Sequence, residues 1–496
     1  MCVQRFSTIL FASGLLCGVV PTAAAQTVVR PDGFLRASDA QPYDALGYGL
    51  ALDGNALLVG ARGSDASAFN GGAVYAYTRG AAGWQEFQKI VFPSAQSGDG
   101  IGEAIAISGA VGIVGAPQRG ANGSAFVLRF DGGAWFPVTE VGDASAGAAA
   151  EFGSAVSCNA DWIAIGAPAS TEGVGAFAGR VRMFARNGTQ WNASTVLTAE
   201  YPDPGDRFGF AVAMDAEWLI VSAPGDDDAA VNAGAIWVYR LTAGAYEFAT
   251  KILPSGSAAE VTEAGFGQSV DIANGGLVVG ASRSDLAAVD GGAVFKYALG
   301  PKGATLVDTF LPPSSAIGAA FGFSVATDGA SVVIGAPGWI TDGQMTGGAV
   351  VMLDGTTIDG VLRGQLGGMT LGGTRVACGP SDVIASAPTT QVGPAAFAGE
   401  LLSLDRLLDC DTSGVPDAIE VAQGVLLDSN EDGVPDECQC LADLSGNGQV
   451  AAQDLAILLG FWGTVGSGPI DADINDDGMV NAADLSILLS AWGPCP

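Results

Sequence analysis

The residues with the clearest capacity for chemistry are the carboxylates in the last fifth of the chain. From Arg406 to the C-terminus the sequence has 16 acidic residues and one basic residue. A calcium ion in a twelve-residue loop takes side-chain oxygens at positions 1, 3 and 5, a backbone carbonyl at 7 and a carboxylate at 12, with glycine at 6. Four segments follow this spacing, so the region is predicted to bind calcium.

Two of these loops lie near the C-terminus and are copies of each other. The segment DLSGNGQVAAQDLAILLGFWG aligns without gaps to DINDDGMVNAADLSILLSAWG, and each loop precedes an apolar helix, Leu455–Trp462 or Leu485–Trp492. The predicted ligands are Asp443, Ser445, Asn447, the carbonyl of Gln449 and Asp454 in the first loop, and Asp473, Asn475, Asp477, the carbonyl of Met479 and Asp484 in the second.

The other two loops lie just upstream. Their predicted ligands are Asp409, Asp411, Ser413, the carbonyl of Val415, Asp417 and Glu420, then Asp428, Asn430, Asp432, the carbonyl of Val434 and Asp436. Gln439 stands where the second of these loops needs its last carboxylate. Because both copies contain Val-Pro-Asp, this pair is similar to thrombospondin type 3 calcium repeats, which we expect over residues 406–440.

The duplicated module at 441–496 resembles a dockerin type I module, which is α-helical and EF-hand-like. The resemblance implies bound calcium and a cohesin-like or cell-envelope partner. In dockerins, loop positions 10 and 11 help to choose the cohesin; here they are Ala452–Gln453 and Ala482–Ala483, unlike the hydroxyl pairs of cellulosomal dockerins. A cohesin and a cell-surface anchor are therefore both open as partners of this module.

Upstream of the acidic region, one unit repeats seven times. A glycine opens each unit and a small residue follows thirteen positions later, at Gly47 and Gly60, Gly102 and Gly115, Gly153 and Gly166, Gly209 and Ser222, Gly267 and Gly280, Gly322 and Gly335, and Gly373 and Ser386. In the sixth unit, Phe323–Thr327, the Asp328–Gly329 turn and Val332–Ile334 have the pattern of a tight hairpin, and further strands follow. Such units predict an all-β, seven-bladed β-propeller with four short strands per blade.

The paired Phe-Gly and Gly-Ala-Pro signals resemble the FG-GAP repeat of integrin α-chain propellers. Phe208–Gly209 with Ala223–Pro224, and Phe321–Gly322 with Gly335–Pro337, carry the resemblance best. Some integrin blades bind calcium in a loop between their first two strands. Here that connection is a tight turn such as Asp53–Gly54, so we do not expect calcium in the propeller.

The two ends of the repeat region are expected to complete one blade together. The seventh unit has no clear fourth strand after Glu400–Leu404, and a lone strand, Thr27–Pro31, precedes the first unit. Pairing of Val28–Arg30 with Leu401–Leu404 would close the ring and remove both free edges. Helix is expected only in the C-terminal modules.

The N-terminus has the form of a secretory signal. Arg5 precedes an apolar run, Ile9–Val20, and Ala23–Ala25 supplies small residues for cleavage. The predicted domains are a signal peptide at 1–25, the propeller at 26–405, the thrombospondin-like loops at 406–440 and the dockerin-like module at 441–496. The mature protein is therefore expected to be secreted or associated with the cell surface, with no transmembrane segment after cleavage.

Composition excludes several classes of function. The formal charge of −32 argues against nucleic acid and anionic membranes as partners, and the absence of histidine excludes a Ser-His-Asp triad. Cys158 and Cys378 occupy equivalent positions and are expected to be small buried fillers. Four cysteines, Cys410, Cys438, Cys440 and Cys495, are candidates for disulfides with three possible connectivities.

Polar loops between the second and third strands recur at Gly63–Asp65, Asp226–Asp228, Arg283–Asp285 and Thr341–Gly343. They predict either a shared ligand surface on one face of the disc or plain solvated turns. The sequence favours a non-enzymatic, exported calcium-binding adhesion or scaffold protein, whose propeller binds an extracellular protein or carbohydrate. An extracellular hydrolase with paired carboxylates at about 5–9 Å is the alternative, although no carboxylate pair is singled out.

Overall fold

The computed structural model describes most of the repeat region and parts of the C-terminal module. The described residues are 28–29, 33–80, 83–171, 176–312, 317–341, 344–345, 348–352, 360–363, 375–379, 382–392, 395–405, 442, 444–445, 449–463, 472–474 and 478–494. The predicted signal peptide, the thrombospondin-like loops and the four candidate disulfide cysteines lie outside them. The predictions for those segments remain predictions.

Each repeat forms its own sheet, numbered here after the repeat. Two short strands, β1 (Val28–Val29) and β2 (Gly33–Leu35), come first. Sheet 1 contains β3 (Leu46–Asp53), β4 (Ala56–Ala61), β5 (Ala73–Gly80) and β6 (Gly83–Ile90). Sheet 2 contains β7 (Ile105–Ser108), β8 (Val111–Ala116), β9 (Ser124–Phe130) and β10 (Trp135–Val141). Sheet 3 contains β11 (Ala155–Cys158), β12 (Trp162–Ala167), β13 (Arg180–Asn187) and β14 (Gln190–Leu197).

The later sheets follow the same plan. Sheet 4 contains β15 (Val212–Met214), β16 (Trp218–Ala223), β17 (Ala235–Thr242) and β18 (Ala245–Ile252). Sheet 5 contains β19 (Ser269–Ala273), β20 (Gly276–Ala281), β21 (Ala293–Gly300) and β22 (Gly303–Phe310). Sheet 6 contains β23 (Ser324–Thr327), β24 (Val332–Ala336), β27 (Gly348–Met352) and β28 (Gly360–Arg363), with a small hairpin of β25 (Ile340–Thr341) and β26 (Gln344–Met345). Sheet 7 contains β29 (Val376–Cys378), β30 (Asp382–Ala387) and β31 (Glu400–Asp405), together with β2.

The sheets make an all-β propeller that departs from seven four-stranded blades. Within the described residues six sheets have four strands, whereas sheet 6 has five because β1 joins its outer strand β28 in parallel, with Val28 opposite Val361. The prediction is therefore right for six blades and wrong for sheet 6. An outer strand presents unpaired backbone groups, and a passing extended segment can satisfy them.

The strand that completes sheet 7 is β2, so the predicted pairing of Val28–Arg30 with the end of the seventh repeat is wrong. β2 is antiparallel to β31, with Phe34 opposite Leu402 and Leu35 opposite Leu401. Leu35 is buried against the core between sheets 7 and 1, and Phe34 packs against the core between sheets 6 and 7. A sheet that is covered on both faces needs apolar side chains on both faces. β2 supplies them with Phe34 and Leu35, which explains why this segment completes sheet 7.

The cores lie between neighbouring sheets, and the spacing of thirteen residues is a consequence of this packing. A Cβ on Gly60 would lie 1.9 Å from the carbonyl oxygen of Gly102, the opening glycine of the next sheet. At the seam, a Cβ on Gly47 would lie 2.7 Å from the Cβ of Ser386 in sheet 7. Larger residues would separate the sheets. Val332–Ile334, in the second strand of the predicted hairpin, are fully buried between sheets.

Short helices complete the described fold. α1 (Ala258–Val261) follows sheet 4, so the expectation of helix only in the C-terminal modules is wrong. Ser257 and Glu260 form a capping pair in which the Ser257 N–H and hydroxyl donate to the Glu260 carboxylate at 2.7 Å, and this pair explains the turn. In the C-terminal module lie α2 (Ala452–Gly460) and α3 (Ala482–Ser490), with β32 (Gln449–Val450) paired to β33 (Gly493–Pro494). No helix within the described ranges is long and apolar enough to cross a membrane.

Candidate functional site

The first strands of the sheets surround a central channel. In the described residues β3, β7, β11, β15, β19, β23 and β29 contact one another in this order, and β29 contacts β3. All seven strands contribute to the lining of a cavity of about 660 Å³. Its walls are formed mainly by small and apolar residues, and charged groups gather where the strands begin.

In sheets 1–6 the residue after the opening glycine varies, and those of sheets 2–6 line the channel near one mouth. These residues are Tyr48, Glu103, Ser154, Phe210, Gln268 and Phe323, and all six are partly buried. A repeat that keeps its glycines but changes the next residue presents different chemistry at each blade. Sequence reasoning missed these positions, although their variability beside a recurring glycine was a usable signal.

One side of the mouth is closed by paired groups from sheets 1, 2 and 7. The Arg62 Nη1 lies 3.1 Å from Glu103 Oε2, and its guanidinium carbon lies 3.8 Å from the centre of the Tyr48 ring. Gln118 also donates to Glu103, at 3.2 Å. Burial lowers the pKa of Arg375 on the same side, and the nearby Glu103 opposes this effect. These groups largely satisfy one another.

The other side opens into a groove of about 540 Å³ between sheets 4, 5 and 6, which we call the sheet 4–6 groove. It is lined by Gly205, Arg207, Phe210, Pro224, Gly225, Asn232, Glu263, Gln268, Ser282, Arg283, Ala320 and Phe323. The Arg207 guanidinium carbon lies 4.9 Å from the centre of the Phe210 ring. Four of these residues, Arg207, Phe210, Gln268 and Phe323, also line the channel, so groove and channel share one mouth.

In the loops predicted as a shared ligand surface, three aspartates form hydrogen bonds with the backbone of their own loop. Asp65, Asp227 and Asp285 each accept a hydrogen bond from the backbone N–H five residues later, at 2.7, 2.6 and 2.8 Å. This supports the interpretation of these aspartates as turn residues. Arg283 differs because it lines the groove. In the fourth loop, 342–343 lie outside the described residues.

Two of the described carboxylates of the channel are paired with arginines, and a third has a raised pKa. Glu103 and Glu151 each contact an arginine, Arg62 or Arg207. Burial raises the pKa of Asp271 to about 7, partly offset by the N–H groups of Thr327 and Ile272, which donate to it. The other sheets place alanine or serine at this position, at Ala51, Ala106, Ser157, Ala213, Ala326 and Ala377.

The candidate calcium centre lies in the C-terminal module. Asp454 and Asp484 are fully buried and Asp473 is nearly so, within a region that has no Lys, Arg or His after Arg406. Burial opposes ionisation of Asp454, yet N–H donors from Ala451 and Ser445 hold its pKa below the usual range. Burial of a carboxylate is costly unless its charge is compensated, and the sequence after Arg406 contains no basic residue. The donor set therefore fits a bound calcium ion.

Only part of each predicted ligand set lies within the described residues. Ser445, Gln449, Asp454, Asp473, Met479 and Asp484 are described, whereas Asp443, Asn447, Asn475 and Asp477 lie outside. Within the described part of the chain no three acidic or cysteine side chains form a metal-binding cluster. All the predicted ligand sets, and those of the two upstream loops, therefore remain predictions.

The helices begin three residues earlier than predicted, at Ala452 and Ala482 instead of Leu455 and Leu485. Asp454 and Asp484 accept the N–H of Ala451 and Asn481 and so cap the helix starts. Val450, Leu458, Val480 and Leu488 form the core between the two halves. The last loop carboxylate and the helix cap are thus the same residue, which couples the loop to the helix.

The two cysteines of the propeller are free thiols. Cys158 is buried between sheets 2 and 3, and burial raises the pKa of its thiol to about 12. This confirms its prediction as a buried filler. Cys378 is half-buried beside the core between sheets 6 and 7.

A propeller with FG-GAP repeats, followed by a dockerin domain, suggests an extracellular or scaffold protein. The FG-GAP repeat family matches residues 33–77 and 191–239, and the dockerin type I domain family matches residues 441–491. The chain therefore carries FG-GAP repeats and a dockerin type I domain, as its motifs predicted. None of the curated proteins matches this sequence.

Among solved structures, the chain is similar to a protein from Bacteroides uniformis assigned as a 6-phosphogluconolactonase. The identity is 11% and the TM-score 0.42, over 64% of this chain and 83% of that chain. A likeness this distant carries no argument about activity.

Proposed function

We propose that this chain is an exported, non-enzymatic calcium-binding scaffold or adhesion protein, which holds an extracellular ligand in the sheet 4–6 groove. The observation that carries the proposal is the asymmetric channel mouth. Arg62, Glu103 and Gln118 satisfy one another on one side, whereas Arg207, Phe210 and Phe323 border open space on the other. Partly buried aromatic and basic side chains around a concave space are typical of a binding site.

The propeller serves as the rigid support of this groove. We propose that the seven sheets act as seven blades over residues 26–405, with β1 as an added edge strand on sheet 6. The closed order of contacts among the first strands supports this interpretation. A site assembled from three neighbouring sheets keeps its geometry because each sheet is packed on both faces.

The C-terminal module is proposed to tether the chain to a cohesin-like or cell-envelope partner, with calcium in the predicted loops. The buried Asp454, Asp473 and Asp484 support calcium as the cofactor, and residues 441–496 as one folded module. The signal-like N-terminus supports export and a secreted or surface location.

Co-sedimentation with cell-envelope material tests both parts in the full-length mature chain. Wild-type protein is expected to sediment with the envelope in calcium, and Asp473→Ala with Asp484→Ala to release it into the supernatant. Phe323→Ala should leave sedimentation unchanged but reduce capture of soluble extracellular polymers by the sedimented protein. Arg129→Gln, an exposed change on β9, is the control. Full retention of polymer by Phe323→Ala would refute the groove as the site.

A further inference from the structure

We infer that the ligand of the sheet 4–6 groove is a carboxylated sugar, such as a uronic acid residue of an acidic polysaccharide. This inference rests on the proposed function of the groove and narrows its ligand class. Three features carry it: the guanidinium groups at the groove, the flat apolar side chains beside them, and the absence of a strand edge among the lining residues.

Arg283 is the first cation of the groove. Its side chain is exposed and makes no hydrogen bond or ion pair with any described residue. The Nη2 atom lies 3.3 Å from where a Cβ on Gly265 would stand, so the absence of a side chain at Gly265 leaves room for the guanidinium. A guanidinium matches a carboxylate with two parallel hydrogen bonds, which suits a carboxylated ligand better than a neutral one.

Arg207 is the second cation. Its Nε is buried and has no hydrogen-bond partner, whereas its Nη2 lies 3.5 Å from Glu151. Both members of that pair are more than one-third exposed, at 41% and 46%, so the ion pair is weak in water. In a protein of net charge −32, two arginines at one groove mark a local site for an anion.

The other residues that line the groove favour a sugar ring as the ligand. Phe210 and Phe323 are partly exposed and offer apolar faces, and Gln268 offers an amide to hydroxyl groups. Asn232 donates its amide to Glu263 at 3.0 Å and keeps its carbonyl oxygen as an acceptor. A sugar ring has C–H faces for the aromatic rings and hydroxyls for the amides, in addition to its carboxylate.

An acidic peptide fits the groove less well. None of the lining residues belongs to a strand: Phe210, Gln268 and Phe323 each lie just before the first strand of their sheet. An extended peptide usually gains affinity by adding its backbone to a sheet edge, and this groove offers none. The side chains alone would have to hold it.

Calorimetric titration of the full-length chain at fixed calcium concentration tests the inference. The probes are tetragalacturonate, its full methyl ester, and a poly-glutamate peptide of similar charge. We expect tetragalacturonate to bind, and Arg283→Gln to weaken it about tenfold because a charge-assisted bidentate contact is lost. The methyl ester should bind wild type about as weakly as tetragalacturonate binds Arg283→Gln. The same substitution should not weaken binding of the ester further. Arg129→Gln, which removes another exposed arginine outside the groove, should change nothing.

Each of the following outcomes would contradict one part of the proposal. If acid and ester bind alike, or Arg283→Gln has no effect, the carboxylate inference is wrong, while loss of binding in Phe323→Ala would still support the groove. If Phe323→Ala binds as wild type does, the groove itself is not the site and the proposed function fails too. Tighter binding of the peptide through Arg283 would overturn the sugar class. No binding of tetragalacturonate at millimolar concentration would also overturn it.

Discussion

Arg79 donates from its Nε to Asp382 Oδ1 at 2.9 Å, joining residues 303 positions apart across the seam between sheets 1 and 7. Trp84 Nε1 donates to the same oxygen at 3.0 Å. Asp382 is 5% exposed and Arg79 is 20% exposed, so the pair is largely removed from water. Together with β2 on β31, these side chains fasten the first and last repeats.

Removing one member of this seam pair should lower the free energy of unfolding more than removing one member of an exposed pair. Arg79→Leu leaves Asp382 buried with reduced compensation, so we expect a loss of about 3 kcal/mol in the free energy of unfolding. Arg240→Leu breaks the exposed pair with Glu217, half of each side chain being in water, and should cost under about 1 kcal/mol. Urea denaturation compares the two. Equal losses would show that the seam pair has no special role.

In sheet 1 the second glycine of the repeat should tolerate no side chain. Gly60→Ala places a Cβ 1.9 Å from the Gly102 carbonyl oxygen, so sheets 1 and 2 must move apart. We expect destabilisation above about 2 kcal/mol from this overpacking. Gly80→Ala is the control, because a Cβ there meets no atom within 4 Å. Thermal unfolding by circular dichroism measures both, and an unchanged transition for Gly60→Ala would refute the close-contact explanation.

Asp271 should make the propeller less stable as the pH rises. Its pKa is raised from 3.8 to about 7 chiefly by burial, so between these values the folded chain binds more protons than the unfolded chain. The contribution of this group to stability is therefore fully present below about pH 4 and is lost as pH rises through 7.

Replacement by the alanine of the other sheets tests this pH dependence. At pH 8 we expect Asp271→Ala to be more stable than wild type by on the order of 1–2 kcal/mol, with the difference shrinking towards pH 4. Denaturation midpoints of both proteins from pH 4 to pH 8 give the comparison. A constant difference across this range would mean that the Asp271 carboxylate does not titrate as its burial requires.

Calcium removal should loosen the C-terminal module and leave the propeller unchanged. Asp454, Asp473 and Asp484 are buried without a basic residue after Arg406, so without a cation their charges repel one another. A ligand at 100 times its dissociation constant adds roughly 2.7 kcal/mol per site, which is decisive for a small module.

Differential scanning calorimetry with and without chelator separates the two transitions. We expect chelator to lower or abolish the transition of the C-terminal module only, and Asp473→Ala with Asp484→Ala to reproduce this effect in the presence of calcium. Asp161→Ala, which removes one carboxylate from an exposed propeller hairpin, is the control. A propeller transition that falls together with the module would contradict their independence.

The local pattern of the chain determined the repeat, the class of fold and the character of the C-terminal module. The spacing of thirteen residues is visible in the sequence because Gly60 and its equivalents must contact the opening glycine of the next sheet. The calcium-loop spacing is visible because oxygen donors must surround one ion. Both signals arise from contacts that a short, regular segment repeats in every copy.

Tertiary structure alone decided how the ends close and where a ligand can enter. The sequence predicted closure by Val28–Arg30, whereas the choice of β2 depended on packing of Phe34 and Leu35 against sheets hundreds of residues away. The groove combines Arg207, Arg283 and Phe323 from three repeats. No spacing encodes that meeting, because it depends on the rotation of each sheet against the next rather than on neighbours along the chain.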